Sequence, residues 1–126
     1  MIARRAKLLG ATVLTLVSTA VVTAWAHSFP EQESPLAGAT LSEPPTQVSI
    51  KYDAPIEKLF ASLRVINSAG RDQTASKPVV SSDGWTLSVP VNQLPPGEYT
   101  VQWNVVCIDT HHTQGSYSFS VAGSHS

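Results

Sequence analysis

Tyr99-Thr100-Val101-Gln102-Trp103-Asn104-Val105-Val106-Cys107-Ile108 places an apolar side chain at every second position as far as Val105. That period belongs to a β-strand with one buried face, because successive Cβ atoms point to opposite sides of an extended chain. Tyr99, Val101, Trp103 and Val105 form the inward set. Immediately upstream, Leu94-Pro95-Pro96-Gly97-Glu98 turns the chain into Tyr99. This is the arrangement of a tyrosine corner, in which a tyrosine hydroxyl near a strand start bonds back to upstream backbone in Greek-key sandwiches.

The same pattern recurs on both sides. Residues 46–52 put Val48, Ile50 and Tyr52 on one face and Gln47, Ser49 and Lys51 on the other. Residues 59–66, 85–91 and 117–121 read as further strands, and less regular ones near 29–34 and 74–80 bring the number to about seven. Between them lie turn clusters: Ser42-Glu43-Pro44-Pro45, Ser68-Ala69-Gly70 and Ser82-Asp83-Gly84. No amphipathic helix and no internal repeat stands out, and residues 123–126 read as a loose tail. The expectation is an all-β fold, an immunoglobulin-like Greek-key sandwich or barrel in one domain.

The N-terminus has a different character. Arg4, Arg5 and Lys7 precede an uncharged apolar run from Leu8 to Trp25, which ends in Ala24-Trp25-Ala26. A basic start, an apolar middle and a small-x-small ending describe an export signal cleaved after Ala26. The run of about 18 apolar residues is also long enough for an uncleaved anchor, but the cleavage signal stands where charged flanks would be needed. Arg4-Arg5 is a pair of the kind found in twin-arginine signals and in ordinary basic n-regions alike. The expected division is a signal peptide over 1–26 and a soluble, monomeric, exported domain over 27–126.

Cleavage removes three of the eight basic residues and leaves nine acidic ones against five. A net negative domain has no basic surface with which to neutralise phosphates, so nucleic acid is excluded as a partner. The single cysteine, Cys107, permits no intrachain disulfide. Enzyme signatures are also missing: there is no Gly-x-Ser-x-Gly elbow and no His-Glu-x-x-His.

Continuing the alternation past Val105 puts Cys107, Asp109 and His111 on the inward face and His112 on the opposite one. Two residues along a strand span ~6.6 Å, so Asp109 and His111 can hold one ion between them. Alone, such a pair is usually an ordinary ion pair. His27 adds weight, because cleavage after Ala26 would make it the terminal residue, with an α-amine and a ring Nδ1 able to chelate one ion. Together His27, Asp109 and His111 form an N,N,N,O donor set that suits the tetragonal preference of copper(II), one ion per chain. His125, in the tail, stays outside this set.

From His27 onward the chain resembles the CopC family of periplasmic copper-binding domains. Glu33-Ser34-Pro35-Leu36-Ala37-Gly38-Ala39-Thr40 is similar to the family's Ser-x-Pro-Ala-x-Gly-Ala-x opening, and Tyr52-Asp53-Ala54-Pro55-Ile56-Glu57 to its Phe-Ser-Glu-Pro-Val-Glu block. Residues 94–99, 103–111 and 115–119 resemble its Leu-x-x-Gly-x-Tyr, Trp-x-x-x-Ser-x-Asp-x-His and Gly-x-x-x-Phe blocks, in order and spacing. The resemblance implies copper(II) ligands at His27, Asp109 and His111, a periplasmic role in copper resistance or homeostasis without catalysis, and a CopD-like inner-membrane copper transporter as partner.

Three departures stand out. A glutamate that some members use as a ligand is Ala54 here, and Asp53 beside it faces the other way by register. The exported part contains no methionine, so the thioether site that copper(I) prefers is missing. Cys107 replaces the family's serine and, ~13 Å from His111 along an extended strand, is expected in the core. Two rival readings are a histidine-brace copper monooxygenase and a metal-free immunoglobulin-like interaction module. The first is disfavoured because the domain is short, lacks an aromatic polysaccharide platform and has a carboxylate where oxygen chemistry needs an open position. The second predicts no tight copper binding.

Overall fold

A computed structural model describes Gly10 and residues 28–123, in which the alternating segments form eight strands in two sheets. The signal segment, its cleavage point, His27 and His125 lie outside the described residues. One sheet is ordered β1 (Pro30–Ser34), β3 (Gln47–Tyr52), β6 (Thr86–Pro90), β5 (Val79–Val80). The other is ordered β2 (Thr40–Leu41), β8 (His112–Val121), β7 (Gly97–Val106), β4 (Ser62–Asn67). All neighbours are antiparallel except β2, which runs parallel to β8.

The inward positions read from the period are the buried ones. Val48, Ile50 and Tyr52 of β3 face Val101, Trp103 and Val105 of β7 across a core completed by Leu63, Val65, Leu87, Val89 and Phe119. Burying a large aliphatic or aromatic side chain contributes ~1.5–3 kcal/mol, and with no disulfide this core is the main source of stability. The Tyr99 hydroxyl donates to the carbonyl of Pro95, so the corner exists as expected, and its ring stacks on Phe119 with centroids 5.6 Å apart. The hydroxyls of Tyr52 and Tyr117 are buried without a protein partner, and burial pushes both phenols up, keeping them neutral.

Two segments differ from the strand expectation. Over 59–66, only Ser62–Asn67 is a strand; Lys58–Phe60 is a 3-10 turn that leaves Leu59 and Phe60 exposed. The chain there is pinned before it can extend, because Ile56 bridges Cys107 and the Glu57 N–H donates to the Val106 carbonyl at 2.7 Å. Over 74–80, only Val79–Val80 pairs as a strand. Pro78 has no N–H for a ladder, and Asp72 curls the preceding chain by accepting from the Thr74 N–H at 2.9 Å and its hydroxyl at 2.8 Å.

Gly115, on β8, sits opposite Trp103 of β7. A Cβ there would meet Trp103 Cζ2 at 2.6 Å and Cε2 at 2.9 Å, so the indole lies flat where only a hydrogen fits. The indole also meets the Tyr52 ring edge to face, with centroids 5.6 Å apart. Gly115→Ala should therefore destabilise the domain by about 1–3 kcal/mol through overpacking. Thermal unfolding would read this as roughly 4–8 °C per kcal/mol. An unchanged Tm would show that Trp103 can leave Gly115 at no cost.

Candidate metal centre

The β7–β8 hairpin closes through residues 107–111, and its turn assembles the candidate ligands. β7 ends at Val106, which pairs with His112 at the start of β8. Inside that last rung the Cys107 N–H donates to the His111 carbonyl and the Thr110 N–H to the Cys107 carbonyl, both at 2.8 Å. Thr110 takes φ 77°, a left-handed conformation that costs a β-branched residue ~1–3 kcal/mol. The chain reverses there, and Asp109 Oδ1 accepts the His111 N–H at 3.2 Å.

Asp109 and His111 thus meet across a turn, with Asp109 Oδ2 3.2 Å from His111 Nδ1. This corrects the expectation that strand alternation would align them. It also corrects the ~13 Å separation of Cys107 from His111, since the two are backbone hydrogen-bonded across the turn. Both candidate ligands face solvent, with side chains 36% and 51% exposed. His112 is set apart: its Nε2 pairs with Asn104 Oδ1 on the outer face of β7.

Beside the turn is a junction that a reading of strand periods passes over. Ser28 is fully buried. Its N–H donates to Cys107 Sγ at 2.6 Å, its hydroxyl reaches the carbonyls of Ala54 and Pro55 at 3.2 Å each, and its carbonyl accepts from Thr113 Oγ1 at 2.8 Å. The Cys107 thiol in turn donates to the Ser28 hydroxyl. Phe29 continues the anchor, its N–H donating to Asp53 Oδ1 at 2.8 Å and its carbonyl accepting from the Asp53 N–H at 2.9 Å. Asp53 is thereby committed to the incoming chain, and the Ala54 carbonyl to the Ser28 hydroxyl. The available signal was Thr113, a polar residue in phase with the buried positions Tyr117, Phe119 and Val121, which must have a partner if it is inside.

Among the described residues no three His, Cys, Asp or Glu side chains gather closely enough to hold a metal. The turn supplies one imidazole nitrogen and one carboxylate oxygen, a pair suited to copper(II) and incomplete by itself. Cys107 is buried, and its sulfur is occupied with Ser28.

The CopC domain family matches residues 30–122. Copper resistance protein C of Xanthomonas campestris pv. juglandis is 35% identical over 119 residues, covering 86% of this chain and 91% of that protein. Protein YobA of Escherichia coli (strain K12) is 31% identical over 112 residues, covering 86% of this chain and 90% of that protein. The crystal structure of CopC from Methylosinus trichosporium OB3b superposes with a TM-score of 0.74 at 25% identity, over 79% of this chain and 98% of that one.

Proposed function

The chain belongs to the CopC family, and from that premise we propose that it is a periplasmic copper(II) carrier or store, binding one ion without turnover. The observation that supports this best is the Asp109–His111 pair, 3.2 Å apart on a hydrogen-bonded turn beside the buried anchor of Ser28. His27 supplies the remaining donors, its α-amine and its ring Nδ1, once the signal is removed after Ala26. The full set is His27, Asp109 and His111.

Copper is the cargo, and the exposure of both turn ligands suits its exchange. A partner can replace the ligands one at a time from the solvent side, which a buried site would prevent. The acidic balance of the exported part favours the approach of a cation. The receiving protein in this reading is a CopD-like transporter of the inner membrane, and the domain acts as a monomer. Titration of the exported domain with copper(II) tests the proposal. It should saturate at one equivalent, with nitrogen hyperfine structure in the electron paramagnetic resonance spectrum; no binding in the micromolar range would leave the interaction-module reading in its place.

Copper(I) should bind far more weakly than copper(II), since thioethers are absent from the exported part and the Cys107 sulfur is engaged. Competition with a copper(I) chelator is expected to leave the wild type and Cys107→Ser equally unloaded. A tight copper(I) complex that disappears in Cys107→Ser would mean the thiol leaves Ser28 to bind metal.

A further inference from the structure

Ser28 and Thr113 are the two buried polar residues among those described, and they are bonded to each other. A buried polar group costs stability unless every donor and acceptor finds a partner. Here the bookkeeping closes on one residue: the N–H, carbonyl and hydroxyl of Ser28 are all bonded, through Cys107, Thr113 and the carbonyls of Ala54 and Pro55. These partners come from three separate parts of the chain, residues 54–55, the end of β7 and the start of β8. Holding the outermost buried residue of the first segment requires nothing so extensive; a single apolar side chain would do it at lower cost.

What the arrangement does hold is the Ser28 nitrogen, the atom to which residue 27 is bonded in the sequence. The Ser28 nitrogen is fixed 2.6 Å from the sulfur of Cys107, and Cys107 is two residues before Asp109 and backbone-bonded to His111. We infer that Cys107 and Thr113 are positioning residues for copper: they form a buried socket that fixes Ser28, the residue that follows His27 in the chain, beside the Asp109–His111 turn. The inference rests on the proposed N-terminal ligation. It gives Cys107 a role that is neither metal ligand nor mere core filling. The thiol accepts one hydrogen bond and donates another, a double duty that a hydroxyl can also perform and an aliphatic side chain cannot.

The experiment compares two termini, one beginning at His27 and one with a single alanine before it, each in wild type, Cys107→Val, Cys107→Ser and Thr113→Val backgrounds. With the free His27 terminus, Cys107→Val and Thr113→Val should each weaken copper(II) binding by at least about fivefold, ~1 kcal/mol, and Cys107→Ser should stay within about twofold of wild type. With the alanine-extended terminus the same substitutions should change binding by less than about twofold, because the coupling between socket and amine is already lost. A metal-free readout runs alongside. Hydrogen exchange at the Ser28 amide, normalised to a core amide such as Val101, should be at least about tenfold faster in Cys107→Val. Equal weakening of both termini, or none in either, overturns the socket. If the two wild-type termini bind alike, N-terminal ligation itself fails, and this is seen before any substitution is made. Should Cys107→Val fail to fold, Thr113→Val carries the same comparison.

Discussion

One alanine left in front of His27 should weaken copper(II) binding at least about tenfold, ~1.4 kcal/mol, with the fold unchanged. The reason is chemical: acylation turns a basic amine into an amide with no lone pair to offer, and it removes the chelate ring that amine and ring Nδ1 close together. The fold should tolerate the addition, because Ser28, the first described residue of the domain, is already anchored by Cys107 and Thr113 and a residue further out adds little to the core. The free amine has an ordinary pKa of about 7.7–8.0, so near neutral pH copper must displace a proton from most molecules. Affinity of the free-terminus form should rise with pH through that range, and the extended form should lose this part of the dependence. Matched titrations, with mass spectrometry confirming each terminus, decide the matter. Equal affinities would reduce the site to Asp109, His111 and at most the His27 ring.

How much of this was legible in the sequence depends on which interactions set each element. β3 and β7 were readable because their faces are sorted by burial alone, and a period of two reports burial directly. The tyrosine corner was readable because its turn chemistry is local. β2 was not, since two residues paired in parallel to β8 leave no periodic trace. The exposed Leu59 and Phe60 misled for the opposite reason, as apolar residues whose conformation is set by a distant strand end.

The candidate ligands show the same division. Asp109 and His111 do lie side by side, but through a hairpin turn and not through the strand alternation that suggested the pair. Alternation cannot reveal where a strand stops; β7 stops at Val106, and the turn that follows carries Thr110 in a left-handed conformation that its β-branched side chain disfavours. Nothing local to the sequence announces such a turn; its hydrogen bonds, from the Cys107 N–H to the His111 carbonyl and from the His111 N–H to Asp109 Oδ1, are what hold it. The Ser28 socket is less legible still, because its members are as much as 85 positions apart.

The adjacent histidines give the second large effect, and the turn makes the expectation sharper than alternation did. His111→Ala removes the imidazole whose Nδ1 lies 3.2 Å from Asp109 Oδ2, and copper(II) affinity should fall about 100-fold, ~2.8 kcal/mol. The backbone N–H that Asp109 Oδ1 accepts survives the substitution, so the turn keeps its internal bond and the loss reports the ligand. His112→Ala should change affinity by less than about twofold, because that ring is turned to Asn104 on the outer face of β7. The separation also works as an internal control: both residues are exposed, one position apart and chemically identical, so general effects of charge or stability fall on both alike. Copper titrations of the two variants, each with a thermal melt to show that the fold is intact, read the difference. A larger loss from His112→Ala would mean that the strand pairing of Val106 with His112 opens when copper binds, and that the ion sits on the face of Asn104 instead.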